Sequence, residues 1–172
     1  MTYPHPDERQ LPAQWQNVLC DYAGRHSKIL AMAFSLVHPA ATAPAFAEQP
    51  LQAFLGGFLD HVQGKRLDPA HLAVTSAGGT DQRLSHLVLV LLDGHRTQSG
   101  IGHLRQARAI WADTLGLPNA EGLVHPCLSP DGDNGMKLRR DRPDWAGQLD
   151  RCSRWGSSLI ASHTNPTPGV SP

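Results

Sequence analysis

"RLSHLVLVLLDG", residues Arg83 to Gly94, decides the fold. Six apolar residues in a row, led in by His86 and closed by Asp93-Gly94, have the length and flanks of a central strand. A histidine at the mouth of such a strand is either a metal ligand or a polar edge residue. Which role it takes depends on the partners the rest of the chain supplies.

Upstream, "HLAVTSA" (His71–Ala77) reads as a short strand, and "GGTDQ" turns it into the first stretch as an antiparallel hairpin. "KILAMAFSLV" (Lys28–Val37) is a ten-residue apolar run stopped by His38-Pro39, a second buried strand. Between them Leu51, Phe54, Leu55, Phe58, Leu59 and Val62 share one helix face. Gly56-Gly57 within that helix costs about 1 kcal/mol per glycine relative to alanine, which predicts close packing there.

Downstream, Ser99 is the expected N-cap of a helix striped by Ile101, Leu104, Arg108, Trp111 and Leu115 and stopped by Gly116 and Pro118. "GLVHPC" and "MKLRR" read as short strands around a turn-rich loop. Pro143 opens a last helix with Trp145, Leu149, Cys152, Trp155 and Leu159 inward. The order of elements predicts an α+β fold: a ferredoxin-like, split βαβ antiparallel sheet with helices packed on one face. Residues 1–12 are expected to be a flexible arm, 13–162 a single domain and 163–172 a disordered tail.

Lys+Arg and Asp+Glu number 15 each, so any nucleic-acid surface must be local. Three cysteines, Cys20, Cys127 and Cys152, form neither a disulfide framework nor a zinc knuckle. With no signal pattern and no run near the ~20 apolar residues of a membrane helix, the expected location is the cytoplasm, without a membrane partner. "GKR" at 64–66 lacks the first glycine and the hydroxyl of a P-loop. "DGDNG" resembles a calcium loop, yet Met136 stands where the turn glycine belongs and Arg142 where the bidentate glutamate belongs.

Taken in order, four stretches resemble the replication-initiator family of filamentous phages (inoviruses) and the related YagK/YfjJ C-terminal domain. They are "RHSKILAMAFSLVHP", "HLAVTSAGG…SHLVLVLLDG", "IWADTLGLPNAEGLVHP" and "GMKLRRDRPDWAGQLDRCSRWGSSLIAS". The resemblance implies a rolling-circle nickase of the HUH class on a ferredoxin-like sheet. In that chemistry two histidines at i and i+2 and a carboxylate hold Mg²⁺ or Mn²⁺, which acts as a Lewis acid on the scissile phosphate. A tyrosine on the last helix is the nucleophile.

The resemblance also shows what is missing. The family's His-x-His falls on Ser85 and Leu87, with His86 between them and turned to the opposite face. Its acid falls on Thr75-Ser76, and its tyrosine on Ser158. None of the ten histidines lies two residues from another, and the only tyrosines are Tyr3 and Tyr22. The expectation is therefore a degenerate initiator domain with no confident catalytic residue and no cofactor, Mg²⁺ or Mn²⁺ applying only to a working nickase. His86, a half-exposed strand residue in this reading, is a weak metal candidate.

DNA binding survives more easily, because holding a backbone and breaking it are separate tasks. Lys137, Arg139, Arg140 and Arg142, with Arg151 and Arg154 on the last helix, are the candidate contacts to a single-stranded or hairpin origin. Arg96, Arg105 and Arg108 form a weaker second group. Two alternatives stay open: an active nickase with a displaced site built from His86, His125, Asp93 and Tyr22, and a non-catalytic protein-interaction module. The sequence assigns no oligomeric state.

Overall fold

The computed structural model describes residues 10–40, 48–77 and 83–165. In chain order these form α1 (Leu11–Arg25), β1 (Lys28–Val37), α2 (Glu48–Gly64), β2 (Ala70–Ala77), β3 (Leu84–Asp93), α3 (Ile101–Leu115), β4 (Val124–Cys127), β5 (Met136–Arg139) and α4 (Trp145–Thr164). The strands make one antiparallel sheet in the order β2-β3-β1-β4, the ferredoxin-like order. β1 is the hub. It pairs with β3 from Ile29↔Asp93 to Val37↔Ser85, while β4 and β5 share its other edge.

β1 and β3 are apolar throughout their centres because both faces of the sheet are covered. On one face Leu30, Met32, Phe34, Val88, Val90 and Leu92 pack against Phe54 and Phe58 of α2 and Trp111 of α3. On the other, Ile29, Ala31, Ala33, Leu87, Leu89 and Leu91 meet Trp15, Leu19 and Tyr22 of α1 and Cys152, Trp155 and Ile160 of α4. The expected one-face arrangement thus holds for α2 and α3, the helices of the split βαβ units. Helices α1 and α4 close the opposite face.

Helix α1 takes in Leu11 and Pro12, which the sequence reading placed in a flexible arm; residues 1–9 lie outside the described residues. Its stripe is Leu11, Trp15, Leu19 and Tyr22, all at most 2% exposed. At the other end α4 runs to Thr164, beyond the expected domain limit, and residues 166–172 lie outside the description, as does the hairpin turn at 78–82.

Of the Gly56-Gly57 pair expected to pack closely, Gly57 does, since a Cβ there would sit 3.2 Å from Ile110 Cγ2 on α3, whereas one at Gly56 would meet nothing within 4 Å. Gly116 ends α3 with φ +66°, the left-handed conformation that favours glycine. The predicted stripe of α3 is rotated, since Ile101 and Arg108 are exposed and His103, Leu104, Ala107, Trp111 and Ala112 are buried. Pro143 precedes α4 instead of opening it; Asp144 is the N-cap. None of the described helices is long and apolar enough to cross a membrane.

Candidate nucleic-acid interface

His86 is fully buried near the start of β3, contrary to the half-exposed position expected of it. It faces α3, and its ring has partners on both nitrogens. Nδ1 lies 2.9 Å from Thr75 Oγ1 on β2, and Nε2 lies 2.8 Å from Nε2 of His38, just past β1. Trp111 stands edge-on to both imidazoles, and its indole N–H donates to the Val37 carbonyl at 3.1 Å. Burial, then the imidazoles of His38 and His163, pushes the His86 pKa down to about 3. The ring is neutral, and both of its nitrogens are spent on hydrogen bonds.

The positions onto which the sequence resemblance would place the nickase residues lie around the opposite face. Ser76 and Ser85 are cross-strand partners on β2 and β3. Leu87, two residues further along β3, is buried against α1 and α4. Ser158 is exposed on α4, one turn and more before His163, whose Nε2 lies 3.3 Å from the Ser85 carbonyl. The arrangement contains hydroxyls and an aliphatic side chain, but no carboxylate or phenol to activate a phosphate.

The displaced set does not assemble. His86 and Asp93 are seven residues apart on one strand, about 23 Å at 3.3 Å per residue. The Tyr22 hydroxyl is buried and donates to the Asp68 carbonyl at 2.8 Å; burial, then the charges of Asp68 and Asp93, raises its pKa. Such a phenol is a poor nucleophile. Among the described residues no three of His, Cys, Asp and Glu group together in a way that could hold a metal ion. His125 is exposed, and burial pushes the nearby Cys127 thiol up to about 11, so it stays protonated at neutral pH.

The six candidate cations are brought together by β5 and α4, but they are not equivalent. Along β5 the two-residue period buries Met136 and Leu138 and leaves Lys137 and Arg139 outward. Arg139 forks onto Asp141 at 2.8 Å, Arg151 pairs with Asp131 at 2.8 Å, and Arg154 pairs with Asp150 at 2.6 Å. These exposed pairs are worth at most about 1 kcal/mol each, so a phosphate competes with them readily. Arg140 has a structural role: its guanidinium bonds the Ala23 and His26 carbonyls at the end of α1 and stacks over Trp145 at 5.7 Å. Lys137 and Arg142 are exposed and form no ion pair with another described residue.

Lys137 and Arg151 also border a polar cavity of about 400 Å³ with Ser99, Gly100, Asn134 and Gln148, on the side of the start of α3. Sequence reasoning missed this cavity, because it joins segments that are far apart in the chain. In the weaker second group, Arg96 lies 3.8 Å from Asp93, and Arg105 and Arg108 are exposed on α3. No family model matches the chain, and no curated protein or solved structure matches it either.

Proposed function

We propose that this chain is a replication-initiator-type domain of phage or mobile-element origin that binds single-stranded or hairpin DNA in the cytoplasm without nicking it. The observation that carries the reading is the surface of β5 and α4, where Lys137 and Arg142 stand exposed without a carboxylate partner among the described residues. Arg139, Arg151 and Arg154 flank them in exchangeable pairs. The ferredoxin-like sheet order is compatible with an initiator scaffold. The lack of a nicking step rests on Ser76, Ser85, Leu87 and Ser158 standing where ligands and nucleophile would be needed.

The test is fluorescence anisotropy with labelled single-stranded and hairpin oligonucleotides over a salt series. Four to five single-strand phosphate contacts give a log–log slope of about −3 to −3.5. Lys137→Ala with Arg142→Ala reduces that slope by about 1.4, or 0.7 per contact. Binding that is absent, or that ignores salt and both substitutions, overturns the reading. So does a covalent protein–DNA adduct formed with Mn²⁺.

A further inference from the structure

His38 and His86 form a buried pair joined by one shared proton. Both side chains are 0% exposed, and their Nε2 atoms are 2.8 Å apart. At that separation one nitrogen must present a lone pair and the other an N–H. The tautomers follow from the surroundings. His86 Nδ1–H donates to Thr75 Oγ1, its Nε2 accepts from His38 Nε2–H, and His38 Nδ1 is left as a buried acceptor without a partner among the described residues. The reverse assignment would strand a buried N–H donor at His38, the costlier defect.

We propose that this pair is an acid-sensitive latch, fastening the chain that leaves β1 to the start of β3 and releasing it as the buried rings take up protons. A proton added at His38 Nδ1 keeps the Nε2–H···Nε2 bond but buries a charge and an N–H donor that no described residue answers. A further proton on His86 Nε2 places two donors nose to nose. β2 contributes the Thr75 hydroxyl, α3 the edge of Trp111, and α4 a third imidazole, His163. No described carboxylate acts on either ring.

The latch holds a junction. Within two residues of it, Val37 N–H donates to the Leu123 carbonyl at 2.8 Å and His38 N–H to the Leu84 carbonyl at 2.9 Å. The Val37 carbonyl takes the Trp111 indole proton. These bonds tie β1 to β3, to the approach to β4 and to α3. Once open, an imidazole returns to its ordinary pKa near 6.5. Each released ring then makes the open state about tenfold more populated per pH unit below that value, or about a hundredfold for two.

Two measurements test this on the full chain. Imidazole ¹⁵N spectra above pH 7 should show one ring protonated at Nε2 and the other at Nδ1. Amide exchange, corrected for intrinsic rates, should show protection at Val37 and His38 falling at least tenfold between pH 6.5 and 5, with Val88 to Leu91 better protected than Val37 at every pH. The pair His38→Gln and His86→Gln, which keeps an amide hydrogen bond without a titrating group, should flatten that dependence. If the double variant does not fold, the ¹⁵N spectra and wild-type exchange decide alone. Identical tautomers, protection at Val37 that ignores pH, or protection at Val37 as high as that of Val88 to Leu91 at pH 5 would each overturn the latch.

Discussion

Gly156 on α4 lies flat against the indole of Trp15 on α1, so that a side chain at 156 would occupy the space of the indole nitrogen. The same indole N–H donates to the Cys152 carbonyl one turn earlier, at 3.4 Å. One backbone therefore seats one ring, and the α1–α4 layer closes over the sheet. Gly156→Ala should cost about 1–3 kcal/mol by overpacking. Gly147→Ala, in the same helix with open space around it, should be neutral or stabilising by up to about 1 kcal/mol. Urea unfolding midpoints of the two variants check the contrast.

Arg140 and Arg142 should separate stability from binding. Arg140→Ala removes the guanidinium from the carbonyls ending α1 and should lower unfolding free energy by about 1–2 kcal/mol. Arg142→Ala should leave stability within about 0.5 kcal/mol of wild type while weakening DNA binding. Paired denaturation and anisotropy measurements distinguish the two outcomes.

Tyr22→Phe should cost about 1 kcal/mol, the value of one net hydrogen bond, because the hydroxyl anchors the Asp68 carbonyl in the turn before β2. DNA affinity should be unchanged. A drop in affinity without a drop in stability would give this phenol a role at the interface.

Global stability should fall in acid. The folded value of His86, about 3, lies below its ordinary 6.5, so the unfolded chain takes up the proton first. Its contribution is complete above pH 6.5 and is lost as pH falls toward 3, at about 1.4 kcal/mol per pH unit. His38, His71, His103 and His163, whose values are also lowered chiefly by burial, act in the same direction. Chemical denaturation from pH 7.5 to 5 measures the proton uptake.

The strands were legible because a central strand has a local signature: the unbroken apolar runs of β1 and β3 mark them directly. The same runs carried a second message, that both faces are covered, since a one-faced strand would alternate. Helix α1 had a readable stripe in Leu11, Trp15, Leu19 and Tyr22, obscured by the prolines and charges just before it. The environment of His86 had no local signature at all. Its burial depends on His38, a partner 48 positions away in sequence that only the β1–β3 register brings near. The cations of β5 and α4 were visible as neighbours in sequence, yet the pairing of Arg151 with Asp131 depends on how the 131–135 loop folds back.

Sharing one edge of β1 between β4 and β5 has a kinetic consequence. Lys28, near the start of the sheet, finds its cross-strand partner in Arg139, near the start of the last helix. The ribosome must make most of the domain before that template is filled, and each long loop must close before any of its bonds form. Such distant pairings make folding slower than that of a helical bundle, whose contacts are local. Until β5 arrives, half of the hub strand's edge is an open invitation to foreign strands.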